Sequence, residues 1–173
     1  MRKKEIVQLA QQFCRDNRVH THPVKIIELC ESLGISVFEQ YLPPEVSGFI
    51  VIQEKPFDRY NTGRLIVINQ ADTAKRRRFT IAHELAHYIL HRPEDAPLYA
   101  HRDAGQNGGI ETEANIFASN VLMPEDLVRK VLKNYQDEFW GELPADIKVE
   151  LISKDFAVSL DAARVRLESL DLI

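Results

Sequence analysis

The segment FTIAHELAHYILH, residues 79–91, carries three histidines at four-residue intervals within an otherwise apolar run. On a helix, His83 and His87 lie one turn apart on the same face, with Cβ atoms about 6 Å apart, which suits two imidazoles binding one metal ion. Glu84 points about 100° around the helix, where its carboxylate can reach a water on the metal without displacing an imidazole. Two ligands and a general base form the HExxH pattern of zinc hydrolases. The segment therefore predicts a metal site.

A catalytic zinc site has three protein ligands, so a third must come from elsewhere in the chain. In IETEANIFASNVLMP, residues 110–124, Glu111 and Asn115 are spaced i, i+4 and share one helical face. Small residues that would let the two helices approach closely flank both motifs: Ala82, Ala86, Ala114 and Ala118. We predict Glu111 as the third ligand and Asn115 as the hydrogen-bond partner of a ligand histidine's outer nitrogen. Glu113 points elsewhere on the helix and is the less favoured ligand.

The elements that must position these residues follow an α+β pattern. Two amphipathic helices open the chain, the second starting at Pro23, and three runs rich in Val and Ile follow over residues 35–40, 47–53 and 63–69. Short connections between these runs favour antiparallel pairs in a small sheet. The HExxH helix is expected over roughly residues 74–91, and a turn-rich loop separates it from the Glu111 helix.

The C-terminal part of the chain is predicted to be helical. Pro124 ends the Glu111 helix and begins another, and residues 146–173 are typical of a helix, a tight turn and a second helix capped by Ser159. We therefore expect a core over residues 1–125 that holds the metal site, and a helical C-terminal extension, residues 126–173, packed on that core.

Composition and charge exclude several classes of protein. The net charge of −4 and the pI near 5.9 argue against a nucleic-acid binder held by a broad basic surface. No apolar run is long enough to cross a membrane, and the N-terminus lacks the features of a secretory signal. Cys14 and Cys30 fall on apolar helical faces, where buried free thiols are expected. The sequence thus predicts a cytoplasmic location and no membrane partner.

In combination, two segments resemble the ImmA/IrrE family of metallopeptidases: RRRFTIAHELAHYILH and ETEANIFASNVLMP. The likeness extends to the opening helices, to SGFIV and LIVIN, and to the tail FAVSLDAARVRL. It implies a zincin-like fold with Zn²⁺ bound by His83, His87 and Glu111, and with Glu84 as the catalytic acid and base. It also implies a protein substrate, since members of this family cleave DNA-binding repressors or regulators, often of the helix-turn-helix type, in bacteria and their mobile elements.

Peptide hydrolysis also needs a group that stabilises the developing oxyanion. All six histidines precede Glu111, so the candidates for an oxyanion or substrate contact are His91, Tyr99, His101 or Tyr88, unless no side chain serves. His91 lies one turn past His87 and is instead a candidate fourth ligand, or a cation at the C-terminal end of the helix.

The leading hypothesis is a zinc-dependent endopeptidase that performs limited cleavage of a transcriptional regulator, with a zinc-bound water activated by Glu84. One alternative is a zinc-containing regulatory protein, such as a toxin–antitoxin component, that acts by stoichiometric binding. A less favoured alternative is a DNA-binding regulator that uses the C-terminal helices. Their second helix carries only Arg164 and Arg166 against Asp161 and Glu168, so direct nucleic-acid binding is not expected.

The basic run Lys75–Arg78 at the start of the HExxH helix opposes the helix dipole. It is expected to pair with acidic groups of the chain, to bind an acidic part of a substrate, or to remain a solvated patch.

Overall fold

The structure is a computed structural model, and it describes residues 1–57, 62–91, 108–139 and 142–173. In these residues the chain forms seven helices and one three-stranded sheet, which confirms the predicted α+β class. The helices are α1 (Lys3–Asp16), α2 (Ile26–Ser32), α3 (Ala74–Leu90), α4 (Gly108–Leu122), α5 (Glu125–Phe139), α6 (Ala145–Asp155) and α7 (Leu160–Ser169). The strands are β1 (Ser36–Gln40), β2 (Gly48–Ile52) and β3 (Arg64–Asn69).

The sheet has the order β1-β3-β2, with β3 in the centre. β2 pairs antiparallel with β3, placing Ile50 opposite Ile66, as the short connections predicted. The predicted antiparallel pairing is wrong for β1, which pairs parallel with β3, with Val37 also opposite Ile66. The chain leaves β1, crosses to the far edge and returns through the middle, so β1 and β2 never pair although they are consecutive in sequence.

Asn69, at the end of β3, holds this crossing connection in place. Its side-chain nitrogen donates to the carbonyl oxygens of Leu42, Pro43 and Val46, and its side-chain oxygen accepts from the Ala71 amide. Asn69 is buried, so these contacts supply the hydrogen bonds that its amide loses with water. The loop between β1 and β2 is therefore fixed from the strand that divides them.

The helix α3 lies at the centre of the fold. It packs against β2 and β3 and also against α4, while α1 packs on α4. Thr73 caps its N-terminus by accepting a hydrogen bond from the Arg76 amide. Because α3 has neighbours on several sides, all its residues from Thr80 to His87 are buried. This burial accounts for the continuous apolar run around the histidines.

The helix α2 begins three residues later than predicted. Pro23 does not start it, since the first helical residue is Ile26 and Lys25 is the N-cap residue. The carbonyl oxygen of Val24 accepts hydrogen bonds from the Ile26 amide and from the Arg78 guanidinium of α3. The chain before α2 is thus anchored to the HExxH helix.

Each cation of the basic run contacts a group of the chain itself. Arg76 forms an ion pair with Asp72 and donates to Ser47 Oγ, and Arg77 forms an ion pair with Glu39. Lys75 Nζ donates to Ser153 Oγ at 2.9 Å. The run therefore fastens α3 to neighbouring elements, in line with the expectation of internal partners.

Both cysteines are free and buried, as the sequence predicted. Burial raises the pKa of each thiol to about 12. The thiols therefore remain protonated at neutral pH and pack as small apolar groups.

The C-terminal helices form the predicted pair. Ala157 makes the turn between α6 and α7 with φ +52°, and Ser159 caps α7 by accepting from the Ala162 amide. Arg166 is buried, its Nε donates to the Met123 carbonyl oxygen, and burial lowers its pKa to about 10. Arg164 forms an ion pair with Asp146. A helix with one arginine inside the protein has little charge left for phosphate contacts.

Residues on both sides of position 125 share one apolar cluster. Phe117 of α4 lies in the same cluster as Val149 and Ile152 of α6 and Leu167 of α7. The division into a core over residues 1–125 and an extension over residues 126–173 stays a prediction. None of the described helices has both the length and the apolar character needed to cross a membrane.

Replacing Gly48 with alanine is expected to destabilise the protein by about 1–3 kcal/mol, because the added Cβ overfills the contact between β2 and α3. That atom would lie 2.6 Å from Thr80 Cγ2 and 2.7 Å from the Val67 carbonyl oxygen. Thermal or urea unfolding would measure the change. Gly109→Ala is the matched control, since a Cβ there meets nothing within 4 Å. Equal stability of the two variants would contradict close packing between β2 and α3.

Candidate metal centre

The two helices that carry the predicted site lie against each other through small side chains. The flanking residues are fully buried, as predicted for close packing: Ala82, Ala86, Ala114 and Ala118. Methyl groups at these positions let the backbones of α3 and α4 approach. The carboxylate of Glu111 on α4 can therefore reach the imidazoles on α3.

His83, His87 and Glu111 converge on one point. Nε2 of His83 lies 2.9 Å from Nε2 of His87 and 3.1 Å from Glu111 Oε2, and Nε2 of His87 lies 3.3 Å from Glu111 Oε1. One ligand atom from each residue lies within 4.8 Å of the others. Three ligands at about 2.1 Å from a tetrahedral zinc ion would be roughly 3.4 Å apart, so these side chains fit such an ion.

The two imidazoles are buried, whereas Glu111 is partly exposed. His83 and His87 retain only 3% and 6% of their accessible surface, and the Glu111 side chain retains 38%. Burial removes water from the imidazole nitrogens, so another partner must compensate for it. The exposure of Glu111 leaves one side of the cluster open, as a catalytic rather than a structural metal site requires.

Glu84 lies between the two histidines in sequence and is buried, with 1% of its surface accessible. An ionisable carboxylate is rarely placed so deeply unless it has a partner or a function. Its position in the same turn of α3 as His83 is the one that a general base in this pattern occupies.

Asn115 contacts the outer nitrogen of His83, while its role beside a metal ligand stays a prediction. Its Oδ1 lies 2.8 Å from His83 Nδ1. Because an amide oxygen only accepts, the proton of His83 lies on Nδ1, and Nε2 directs a lone pair toward His87 and Glu111. Such contacts orient a metal ligand and select its tautomer.

His91 lies behind His87, away from the point where the ligand atoms converge. Its Nδ1 is 3.2 Å from His87 Nδ1, and its Nε2 is 2.9 Å from Glu113 Oε2. The Met1 amino group also contacts Glu113, and hydrogen bonds from it and from His91 hold the pKa of the Glu113 carboxyl below its usual range. Among the described residues, His91 is therefore a neighbour of the candidate ligand His87 and not part of the His83–His87–Glu111 group.

Three further residues, Tyr88, Tyr99 and His101, were candidates for an oxyanion or substrate contact. Tyr99 and His101 lie outside the described residues. The Tyr88 ring lies under the Arg64 guanidinium, 5.4 Å from the ring centroid. From the sequence, Glu113 is only a less favoured ligand, and its contact with His91 is not predicted. The available signal was the spacing of His87 and His91, which places His91 one helical turn past a candidate ligand. A histidine that is largely buried at that position needs a hydrogen-bond partner.

Comparison with known proteins agrees with this geometry. The family model for the IrrE N-terminal-like domain, Peptidase M78, matches residues 30–168. The chain is 37% identical over 75 residues to the radiation response metalloprotease IrrE of Deinococcus radiodurans, covering 41% of this chain and 23% of that protein. It is 25% identical over 142 residues to the metallopeptidase ImmA of Bacillus subtilis, covering 82% and 79% of the two chains.

Two further similarities extend this result. Immunity region protein 2 of Bacillus phage phi105 is 33% identical over 101 residues, which are 58% of this chain and 60% of the phage protein. A solved structure of a Mycobacterium tuberculosis transcriptional regulator shares the fold, with a TM-score of 0.60 at 17% identity, over 95% of this chain and 46% of that one. The chain thus spans less than two thirds of several of these proteins.

The family match includes both motifs that carry the candidate ligands, HELAH and ETEAN. It also covers the sheet and most of the C-terminal helices. The resemblance stated from the sequence is confirmed, and the chain belongs to the IrrE N-terminal-like family of peptidases.

Proposed function

We propose that this protein is a zinc-dependent endopeptidase that inactivates a DNA-binding transcriptional regulator by limited cleavage. The observation that carries the proposal is the convergence of His83, His87 and Glu111 beside the buried Glu84. Family membership supports peptide hydrolysis as the reaction. The likeness to the metallopeptidase ImmA and the metalloprotease IrrE supports a protein substrate, and the resemblance to their family implies that it is a regulator of the helix-turn-helix type.

Zinc is the metal that this set of ligands favours. Two imidazole nitrogens and one carboxylate oxygen, with an open position, match the donor set of zinc peptidases. A bound zinc ion would supply a Lewis acid that polarises the substrate carbonyl and lowers the pKa of water. His83, His87 and Glu111 would hold it, while Asn115 keeps the His83 ring in the required orientation.

Glu84 performs the proton transfers of the reaction. Its carboxylate removes a proton from the water that attacks the peptide carbonyl, and it returns the proton to the leaving nitrogen as the C–N bond breaks. Its burial favours this role, since the packing around α3 fixes the position of the carboxylate. The partly exposed side of the cluster at Glu111 is where the substrate would enter.

The proposal also assigns the protein to the cytoplasm, where a transcriptional regulator would be present. Two free, buried thiols support a reducing compartment.

Mapping of protein N-termini in host cells tests the substrate and the reaction together. Cells producing the parent chain are compared with cells producing Glu84→Gln, which retains the shape of the site. One new N-terminus within a regulator, seen only with the parent, is the expected result. Equal inhibition of the regulator by both chains, with no new N-terminus, would show stoichiometric binding and overturn the peptidase assignment.

A further inference from the structure

We propose that His91 and Glu113 act as a positioning pair that fixes the orientation and tautomer of the ligand histidine His87. This inference rests on the proposed metal site and assigns a role to two residues outside the ligand set. It follows from a continuous series of contacts that leads from α4 to the candidate ligand on α3.

The first contact fixes His91. Its Nε2 lies 2.9 Å from Glu113 Oε2, and both side chains are largely buried, with 14% and 16% of their surface accessible. A carboxylate accepts hydrogen bonds, so His91 donates its Nε2 proton to Glu113. In the neutral imidazole the other nitrogen, Nδ1, then presents a lone pair.

The second contact transmits this arrangement to His87. The Nδ1 atoms of His91 and His87 are 3.2 Å apart, so one must donate and the other accept. Because Nδ1 of His91 accepts, His87 carries its proton on Nδ1. Its Nε2 then directs a lone pair toward the point shared with Nε2 of His83 and the Glu111 carboxylate, where a bound metal ion would satisfy all three acceptors.

The imidazole of His83 is oriented in the same way, but by a different residue. Asn115 accepts from His83 Nδ1, as the Glu113–His91 pair accepts from His87 Nδ1. Asn115 and Glu113 both belong to α4, which also carries Glu111. One helix therefore supplies the third candidate ligand and the groups that orient both imidazoles of α3.

The geometry argues against the other roles considered for His91. A fourth ligand would direct a nitrogen to the point where the Nε2 atoms of His83 and His87 converge. Both nitrogens of His91 instead lie against Nδ1 of His87 and the Glu113 carboxylate. These two contacts leave no ring nitrogen of His91 directed at a substrate carbonyl beside Glu111.

Two variants of His91 test the assignment, because each retains only one of the two contacts that the imidazole makes. In His91→Asn, the side-chain oxygen occupies about the position of Nδ1 and can still accept from His87. In His91→Gln, the amide reaches the position of Nε2 and retains the contact to Glu113 only. Zinc affinity of the purified protein, measured by competition with a chelator, should fall about 10–100-fold in His91→Gln and stay within about threefold of the parent in His91→Asn.

Nuclear magnetic resonance of the zinc-loaded protein gives a readout that a loss of packing would not imitate. Long-range ¹⁵N–¹H spectra should show a protected His87 Nδ1 proton in the parent and in His91→Asn. That proton should exchange rapidly in His91→Gln. His20→Gln, which removes an exposed histidine outside the cluster, controls for nonspecific zinc binding.

If the His91 variants fail to fold, variants of Glu113 test the same series of contacts. Glu113→Gln keeps an accepting oxygen and should retain zinc affinity, whereas Glu113→Leu should weaken it about tenfold. Parent-like zinc affinity and a protected Nδ1 proton in both His91→Gln and Glu113→Leu would overturn the positioning role and leave the metal site intact. Failure of the parent itself to bind zinc would instead overturn the proposed function and this inference together.

Discussion

Glutamine in place of Glu84 is expected to lower kcat/KM for regulator cleavage by about 10²–10⁴-fold while zinc remains bound. The amide cannot remove a proton from water, but it has nearly the same shape as the carboxylate. Glu84 is buried in the centre of α3, so an isosteric replacement leaves no cavity there. The measurement is the cleavage rate of purified regulator, together with the zinc content of parent and variant.

Two observations separate a chemical effect from a structural one. Glu84→Gln should unfold at a temperature close to that of the parent, because neither packing nor the candidate ligands change. Glu5→Gln, an exposed replacement on α1, should cleave at the parent rate. A Glu84→Gln protein that retains zinc and still cleaves at the parent rate would exclude Glu84 as the general base.

The candidate site was largely predictable because its geometry is local. One turn of helix separates His83 from His87, and another separates Glu111 from Asn115, so each pair is placed as soon as its helix forms. The flanking alanines added the expectation that the two helices would meet. In the structure Asn115 Oδ1 lies 2.8 Å from His83 Nδ1.

The pairing of β1 was not predicted, because strand order depends on burial at both faces of the sheet. β2 alternates buried and half-buried residues, as an edge strand does, whereas β3 buries Leu65, Ile66, Ile68 and Asn69. A nearly continuous apolar run is typical of a central strand with elements on both faces. The apolar run LIVI of β3 therefore indicated a central strand. The short connections between the three strands indicated instead that consecutive strands pair antiparallel, and the prediction relied on the connections alone.

The contact between His91 and Glu113 could not be derived from spacing either. These residues belong to different helices, and their meeting depends on the rotation of α4 relative to α3. Sequence periodicity fixes which residues share a face of one helix, but it does not give the angle between two helices. The contact between His91 and Glu113 is thus found only once both helices are placed.

Glu111→Gln is expected to weaken zinc binding by about 10²–10³-fold, because the neutral amide is a poor replacement for a carboxylate ligand. Structural zinc sites with four ligands gain about 10–16 kcal/mol, so one ligand contributes roughly 2.5–4 kcal/mol. Chelator competition measures the affinity directly. The rise in unfolding temperature on adding zinc should also largely disappear, because stabilisation by a ligand depends on its affinity.

Glu113→Gln is the matched control, since it removes a carboxylate from the same helix only two residues away. Glu113 contacts His91 rather than the point where the ligand atoms converge, and the amide oxygen can still accept from His91 Nε2. Zinc affinity should therefore stay close to that of the parent. The reverse result, with zinc retained in Glu111→Gln and lost in Glu113→Gln, would make Glu113 the third ligand. Because the two carboxylates point in different directions from α4, this pair of variants decides which face of the helix binds the metal.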